Sequence, residues 1–132
     1  LNKKFIEPNN LRDFWFYVRP KLEIILSQSP ERWIPEDIYA DCLSGRSMLW
    51  LGFYEEKPFG FVVVQCQEID TLHLWAGYCE QNIPDAVKWK LIEEVAKDLK
   101  MKKISFESWR KGWIKKSKQL GFVPRKYIKE LS

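Results

Sequence analysis

The apolar positions change period several times along the chain, and each change predicts an element. Leu1 to Ile6 reads as a short opening strand. Asn9 or Asn10 suits a helix N-cap, and Leu11, Phe14, Trp15, Val18, Leu22, Ile25 and Leu26 follow at helical spacing. Pro20 falls inside that stripe and predicts a kink, or two helices divided near Val18–Arg19, before Ser27-Gln28-Ser29-Pro30 ends the pattern. A second helix starts at Pro35, where proline fits the first helical position and Glu36 and Asp37 suit the positive helix start. Its Ile38 and Cys42 share a face, and Gly45 fits the C-terminal cap.

From there the pattern is that of strands. Ser47–Tyr54 and Phe59–Gln67, divided by the turn Glu55-Glu56-Lys57-Pro58, read as a hairpin, and Glu68-Ile69-Asp70 turns the chain into a third strand, Thr71–Tyr78. Strict alternation puts Thr71, His73 and Trp75 on one face of that strand and Leu72, Leu74 and Ala76 on the other. Val87, Leu91, Val95 and Leu99 then recur every fourth residue, with Ile92 and Ala96 beside them, predicting a long helix from about Pro84 to Lys100. Lys103–Trp109 reads as a strand, Trp113–Leu120 as a short helix capped by Gly121, and Phe122–Leu131 as a last strand bent at Pro124. A strand, a helix and a strand in succession require Thr71–Tyr78 and Lys103–Trp109 to be parallel neighbours. The fold class is therefore α/β, an α+β mixed sheet, with residues 1–132 as a single domain because no repeat, linker or low-complexity run divides them. No G-x-G-x-x-G, phosphate-binding loop or H-E-x-x-H motif occurs.

Composition narrows the classes further. At 45% hydrophobic and 30% charged residues the chain is globular rather than disordered. No apolar run approaches the roughly 20 residues of a membrane span, and the basic start Leu1-Asn2-Lys3-Lys4-Phe5 does not read as a signal peptide. The three cysteines, Cys42, Cys66 and Cys79, are widely spaced and form no C-x-x-C pair, so no metal site is expected. They read as buried or half-buried free thiols of a reducing cytoplasm. The net charge of +4 is split. Residues 1–96 hold ten Lys/Arg against fifteen Asp/Glu, and residues 97–132 hold twelve against three. Arg110, Lys111, Lys115, Lys116 and Lys118 gather around Trp113, a pattern suited to an acidic protein partner and, less well, to nucleic acid.

The order of elements, the strand ending Leu74-Trp75-Ala76-Gly77-Tyr78, the long helix after it, and the run Lys118-Gln119-Leu120-Gly121-Phe122 together resemble the GNAT superfamily of acyl-CoA N-acyltransferases. More narrowly, Ser44-Gly45-Arg46, Leu49-Trp50, Leu72-His73-Leu74-Trp75-Ala76 and Arg110-Lys111-Gly112-Trp113 resemble small GNAT-like proteins encoded by tailed bacteriophages. The resemblance implies a GNAT-like fold in which two parallel strands splay apart. Their free backbone groups hold the pantetheine arm of acetyl-CoA, and the next helix N-terminus receives the pyrophosphate. The family's Q/R-x-x-G-x-G/A signature falls here on Gln81, Pro84 and Ala86, so Pro84 stands where a small residue is expected and removes an N–H donor. Trp75, Ala76, Gly77, Gln81 and Ala86 are the cofactor-contacting candidates on this alignment, while Glu80 and Asp85 bring negative charge to the place meant for phosphate.

Catalytic candidates are sparse. The tyrosine that many members carry four residues before the glycine of the final helix-to-strand step is Ser117 here, which leaves Tyr127 or Tyr78 as substitutes. His73, with Glu68 or Asp70 to orient it, is a candidate base, and Glu80 lies where an acceptor amine could be held. With its motif degenerate, the chain reads first as a GNAT-like binding protein that needs no cofactor, associated with a phage particle or its assembly and located there or in the host cytoplasm. The alternatives are an acetyl-CoA-dependent N-acetyltransferase acting on an amine, and a nucleic-acid-binding module.

Overall fold

The computed structural model describes residues 2–28, 32–67, 69–106 and 127–131, with the backbone alone for 127–130. Its strands are β1 (Asn2–Ile6), β2 (Met48–Tyr54), β3 (Lys57–Cys66), β4 (Thr71–Cys79), β5 (Lys103–Phe106) and β6 (Tyr127–Glu130), and its helices are α1 (Leu11–Ser27), α2 (Pro35–Ser44) and α3 (Asp85–Asp98). The strands form one sheet in the order β1-β2-β3-β4-β5-β6, antiparallel throughout except for the parallel pair β4–β5. The predicted parallel pair joined by a helix is thus present. The predicted helix Trp113–Leu120 and the basic cluster Arg110, Lys111, Lys115, Lys116 and Lys118 lie outside the described residues.

Each face of the sheet has its own core. Leu91, Ile92, Val95 and Ala96 of α3 pack on Val62, Val64, Leu72, Leu74, Ile104 and Phe106. Leu11, Val18 and Leu22 of α1 with Ile38 and Cys42 of α2 pack on Leu49, Leu51, Phe61, Val63 and Ala76. β3 is central to both, which is why Phe61-Val62-Val63-Val64 is an unbroken buried run.

Helix α1 runs through Pro20 as one element, against the predicted division near Val18–Arg19. Pro20 lies on the exposed side, while Val18 and Leu22 on either side of it are fully buried, so packing holds the two turns together despite the lost backbone donor. Arg19 ties the exposed sides of α1 and α2 by pairing with both Glu23 and Glu36. At the start of α2, Pro35 follows the N-cap Ile34, whose N–H donates to the Asp37 carboxylate, and Gly45 closes the helix at φ 85°. The cysteines are free as expected, but Cys66 is exposed because it ends β3 beyond the reach of either helical layer.

The alternation predicted for β4 does not hold along its length. Val63 pairs with Ala76 and Val64 with Leu74, so Trp75 is an extra residue, a β-bulge. Before it, Leu72 and Leu74 face α3. At and after it, Trp75, Ala76 and Tyr78 face α1 and α2. The β4–β5 ladder covers only Thr71–Leu74 against Lys103–Phe106, leaving the bulge and everything beyond it paired to β3 alone among the described residues.

That remaining ladder is closely packed at Gly60, opposite Cys79, where a Cβ would collide with the Tyr78 carbonyl. Gly60→Ala is expected to force β3 and β4 apart and lower stability by about 1–3 kcal/mol, read as a drop in the thermal or denaturant midpoint against the parent chain.

Candidate functional site

The stretch Trp75–Cys79 of β4, paired to β3 alone among the described residues, leads into the turn Glu80–Pro84 and the N-terminus of α3. The Glu80 N–H still donates to the Phe59 carbonyl, so the strand pairing continues one residue past β4 and fixes the position of Glu80. The Ile83 N–H then closes a turn onto the Glu80 carbonyl. Ile83 packs into the α3-side core and anchors the loop from below.

Glu80 is not a solvated loop acid. Its Oε1 accepts from the Tyr17 hydroxyl of α1 at 3.1 Å and its Oε2 from the Tyr78 hydroxyl at 3.3 Å. Phe61 supports both phenols, stacked with Tyr78 at 6.0 Å and edge-on to Tyr17 at 6.4 Å. Burial, reinforced by the neighbouring Glu80 charge, raises the pKa of Tyr17 and of Tyr78 above the usual phenol value. Both hydroxyls therefore stay protonated donors at neutral pH. The Lys21 ammonium lies over the Tyr17 ring, 4.2 Å from its centroid.

Sequence reading named Glu80 and Tyr78 but passed over Tyr17, which is 63 residues from Glu80 and is signalled only as one more aromatic in an amphipathic helix. Lys88 was also missed. Its aliphatic stem reaches Gly77, where an added Cβ would lie 3.6 Å from Lys88 Cε, and its charge partly offsets the burial that raises the Cys79 thiol pKa. An ammonium one turn into α3 is hidden in the sequence because Lys88 follows the acidic Asp85 and reads as surface.

The other candidates disperse. His73 does not join Glu80. The two are seven residues apart along an extended strand, about 20 Å. His73 pairs in register with Ser105 of β5, and its Nδ1 lies 2.9 Å from the Ser105 hydroxyl. Ser105 is fully buried, so this pair is a rung of the sheet and no substrate reaches its oxygen. Glu68, one proposed orienter, lies outside the described residues, and Asp70, the other, accepts from Thr71 and faces Lys103. Tyr127 is placed by its backbone opposite Phe106, at the far side of β5.

Trp75 and Ala76 point away from α3: Trp75 packs edge-on to Trp33 and Ala76 is buried against α1 and α2, so only their backbone groups remain for a ligand on the β5 side. Gly77 faces α3. Gln81 and Ala86 are exposed around the helix start. Pro84 is the N-cap of α3: its extended backbone (φ −60°, ψ 145°) precedes the helical run, which begins just after it. The helix therefore keeps the amides of Asp85 and Ala86 at its tip, and the Val87 N–H turns back to the Pro84 carbonyl. Among the described residues no group of three or more His, Cys, Asp or Glu side chains is arranged to hold a metal ion, and no helix is long and apolar enough to cross a membrane.

A six-stranded sheet with one parallel pair, β4–β5, joined by α3 is the decisive feature of the fold, and solved structures match that fold. A GNAT-family acetyltransferase from Elizabethkingia anophelis with acetyl-CoA bound superposes with a TM-score of 0.54 at 15% identity, over 70% of this chain and 81% of its own. An IAA acetyltransferase from Bacillus cereus gives 0.62 at 12% identity over 98% and 99%. Escherichia coli ElaA gives 0.67 at 11% identity over 98% and 99%. The fold is that of the GNAT acyltransferases. No protein-family model matches the chain, and no curated protein sequence matches it.

On the GNAT fold the residues present suit an acyl-CoA unevenly. Among the described residues the backbone of Trp75–Cys79 has no strand partner on the β5 side, which suits the pantetheine arm, while the Lys88 stem lies against Gly77. The tip amides of Asp85 and Ala86 with the Lys88 ammonium suit the pyrophosphate, opposed by the Asp85 carboxylate.

The phenol shifts carry a pH signature. Both tyrosines hold their protons more tightly folded than unfolded, so the stability this contributes is complete below the ordinary tyrosine value of 10.0 and is lost as pH rises above it towards the folded values. Ultraviolet phenolate titration of the folded chain is expected to show two late-ionising tyrosines, and Tyr17→Phe to remove one of them.

Proposed function

We propose that the chain is an acyl-CoA-dependent N-acyltransferase acting on an amine. The observation that carries this reading is the Glu80 carboxylate, held by two protonated phenols at the end of β4. An amine is unreactive as an ammonium and must lose its proton to attack a thioester. Glu80 takes that proton at a carboxylate oxygen, directly or through water. The Tyr17 and Tyr78 hydroxyls fix the orientation of the carboxylate, and Tyr78, on the same strand, keeps a proton available for a leaving thiolate. Bound acyl-CoA would supply the activated acyl group. The backbone of Trp75–Cys79 would hold its arm, and the α3 tip with Lys88 its phosphates.

Calorimetric titration is expected to show acetyl-CoA binding, weakened by the acids near the helix tip, and a panel of primary amines to include an acetyl acceptor. Glu80→Gln should lower kcat/KM about 100-fold while leaving the acetyl-CoA Kd unchanged. Absence of acetyl-CoA binding at millimolar concentration, or equal turnover by Glu80→Gln, overturns the reading.

One observation favours a second reading, the non-catalytic binding protein. Pro84 offers no N–H before α3, and Glu80 and Asp85 flank it. In that case the basic cluster Arg110, Lys111, Lys115, Lys116 and Lys118 is the contact surface, and the partner an acidic protein, a phage structural protein on the narrower sequence resemblance. Reversing Lys115, Lys116 and Lys118 to glutamate would then abolish association with no change in thermal midpoint. Unchanged association of the folded triple variant removes this reading.

A further inference from the structure

Lys21 is one helical turn beyond Tyr17, and its ammonium rests on the face of the ring whose hydroxyl bonds Glu80. A single phenol separates this primary amine from the carboxylate assigned as the proton acceptor. The arrangement is a cation held against an aromatic face, with a carboxylate at the ring's edge, which is the environment an incoming alkylammonium would require. Lys21 is half-buried, tethered through a flexible four-carbon stem, and present at a fixed, high local concentration that a dissolved amine does not match.

We propose that Lys21 is an acyl acceptor in its own chain, a self-modification site served by the Glu80 centre. The inference rests on the acyltransferase reading. The step balances as an ordinary aminolysis. The Lys21 side chain swings off the ring face, its ammonium gives one proton to Glu80, the freed Nζ forms a bond to the acyl carbon, and the carbon–sulfur bond of the acyl-CoA thioester breaks. The second nitrogen proton leaves to solvent and the thiolate takes one up. The product amide is neutral, so it gives up the cation contact with Tyr17. Acylation thereby uncovers the ring face for an external ammonium.

The test is incubation of the full chain with acetyl-CoA followed by peptide mass mapping. One acetyl group on Lys21 is expected, formed at least tenfold faster than on the other described lysines and slowed about 100-fold by Glu80→Gln. Acetyl groups spread evenly over surface lysines, or modification of Lys21 that Glu80→Gln does not slow, overturn the proposal. Acetylation of an external amine with Lys21 untouched overturns it as well and leaves the acyltransferase reading standing. Failure of acetyl-CoA to bind removes both. A second measurement needs no acetyl-CoA. The Lys21 ε-methylene resonance is expected upfield from the Tyr17 ring current and back at its ordinary position in Tyr17→Leu. A Lys21 signal already at the ordinary position in the parent chain overturns the placement on which the proposal stands.

Discussion

The bulge at Trp75 sets the geometry of the end of β4 that holds Glu80. One extra residue in β4 shifts the pairing with β3, so that Leu74 faces α3 while Trp75 and Ala76 both face the other layer. The strand turns its polar edge as a consequence. Among the described residues the β4–β5 ladder reaches Leu74 opposite Phe106, just before the bulge. After it, Tyr78 points towards α1, where Tyr17 waits, and Glu80 completes the triangle. With regular alternation instead, Tyr78 would face α3 and the carboxylate would have one phenol rather than two.

Among the described residues, charge at this end is balanced locally. Glu80 is matched by two neutral donors, and the nearest ammonium in the cluster, Lys21, stands behind a ring instead of forming an ion pair with it. A carboxylate held in this way keeps free lone pairs for a proton. At the helix tip the opposite holds. Asp85 places a negative charge in the first turn of α3, which stabilises the helix and competes with an external anion.

The two-layer architecture was legible because it rests on periodicity. The every-fourth-residue stripe of α3, the apolar run of β3 and the strand–helix–strand order each have one simple packing solution. The hairpins and the Gly45 cap follow from turn chemistry for the same reason. The bulge was not legible, since Leu72-His73-Leu74-Trp75-Ala76 reads as perfect alternation and only the register with β3 reveals the extra residue. Glu80 was visible as an acid at the end of a strand, but its tyrosine partner on α1 is a tertiary contact with no local signal. His73 drew attention as the lone histidine of the chain. Its buried serine neighbour, 32 residues away, gives it a structural place in the sheet.

Strand order that follows chain order has a consequence for how the sheet fails. β2, β3 and β4 meet their neighbours across short turns, whereas β1 joins β2 only by closing a loop of about 40 residues that contains both α1 and α2. That rung carries the largest loop-closure cost of the three antiparallel pairings around β2 and β3. Opening bares the edge of β2, Met48-Leu49-Trp50-Leu51-Gly52-Phe53, a low-charge run with strong pairing capacity. While β1 is in place, Lys3 and Lys4 lie along the outer strand, Lys3 paired with Asp98, and their charges discourage a second chain from adding there. The opening strand thus acts as a cover against aggregation, and partial unfolding at the N-terminus endangers solubility before it endangers the core.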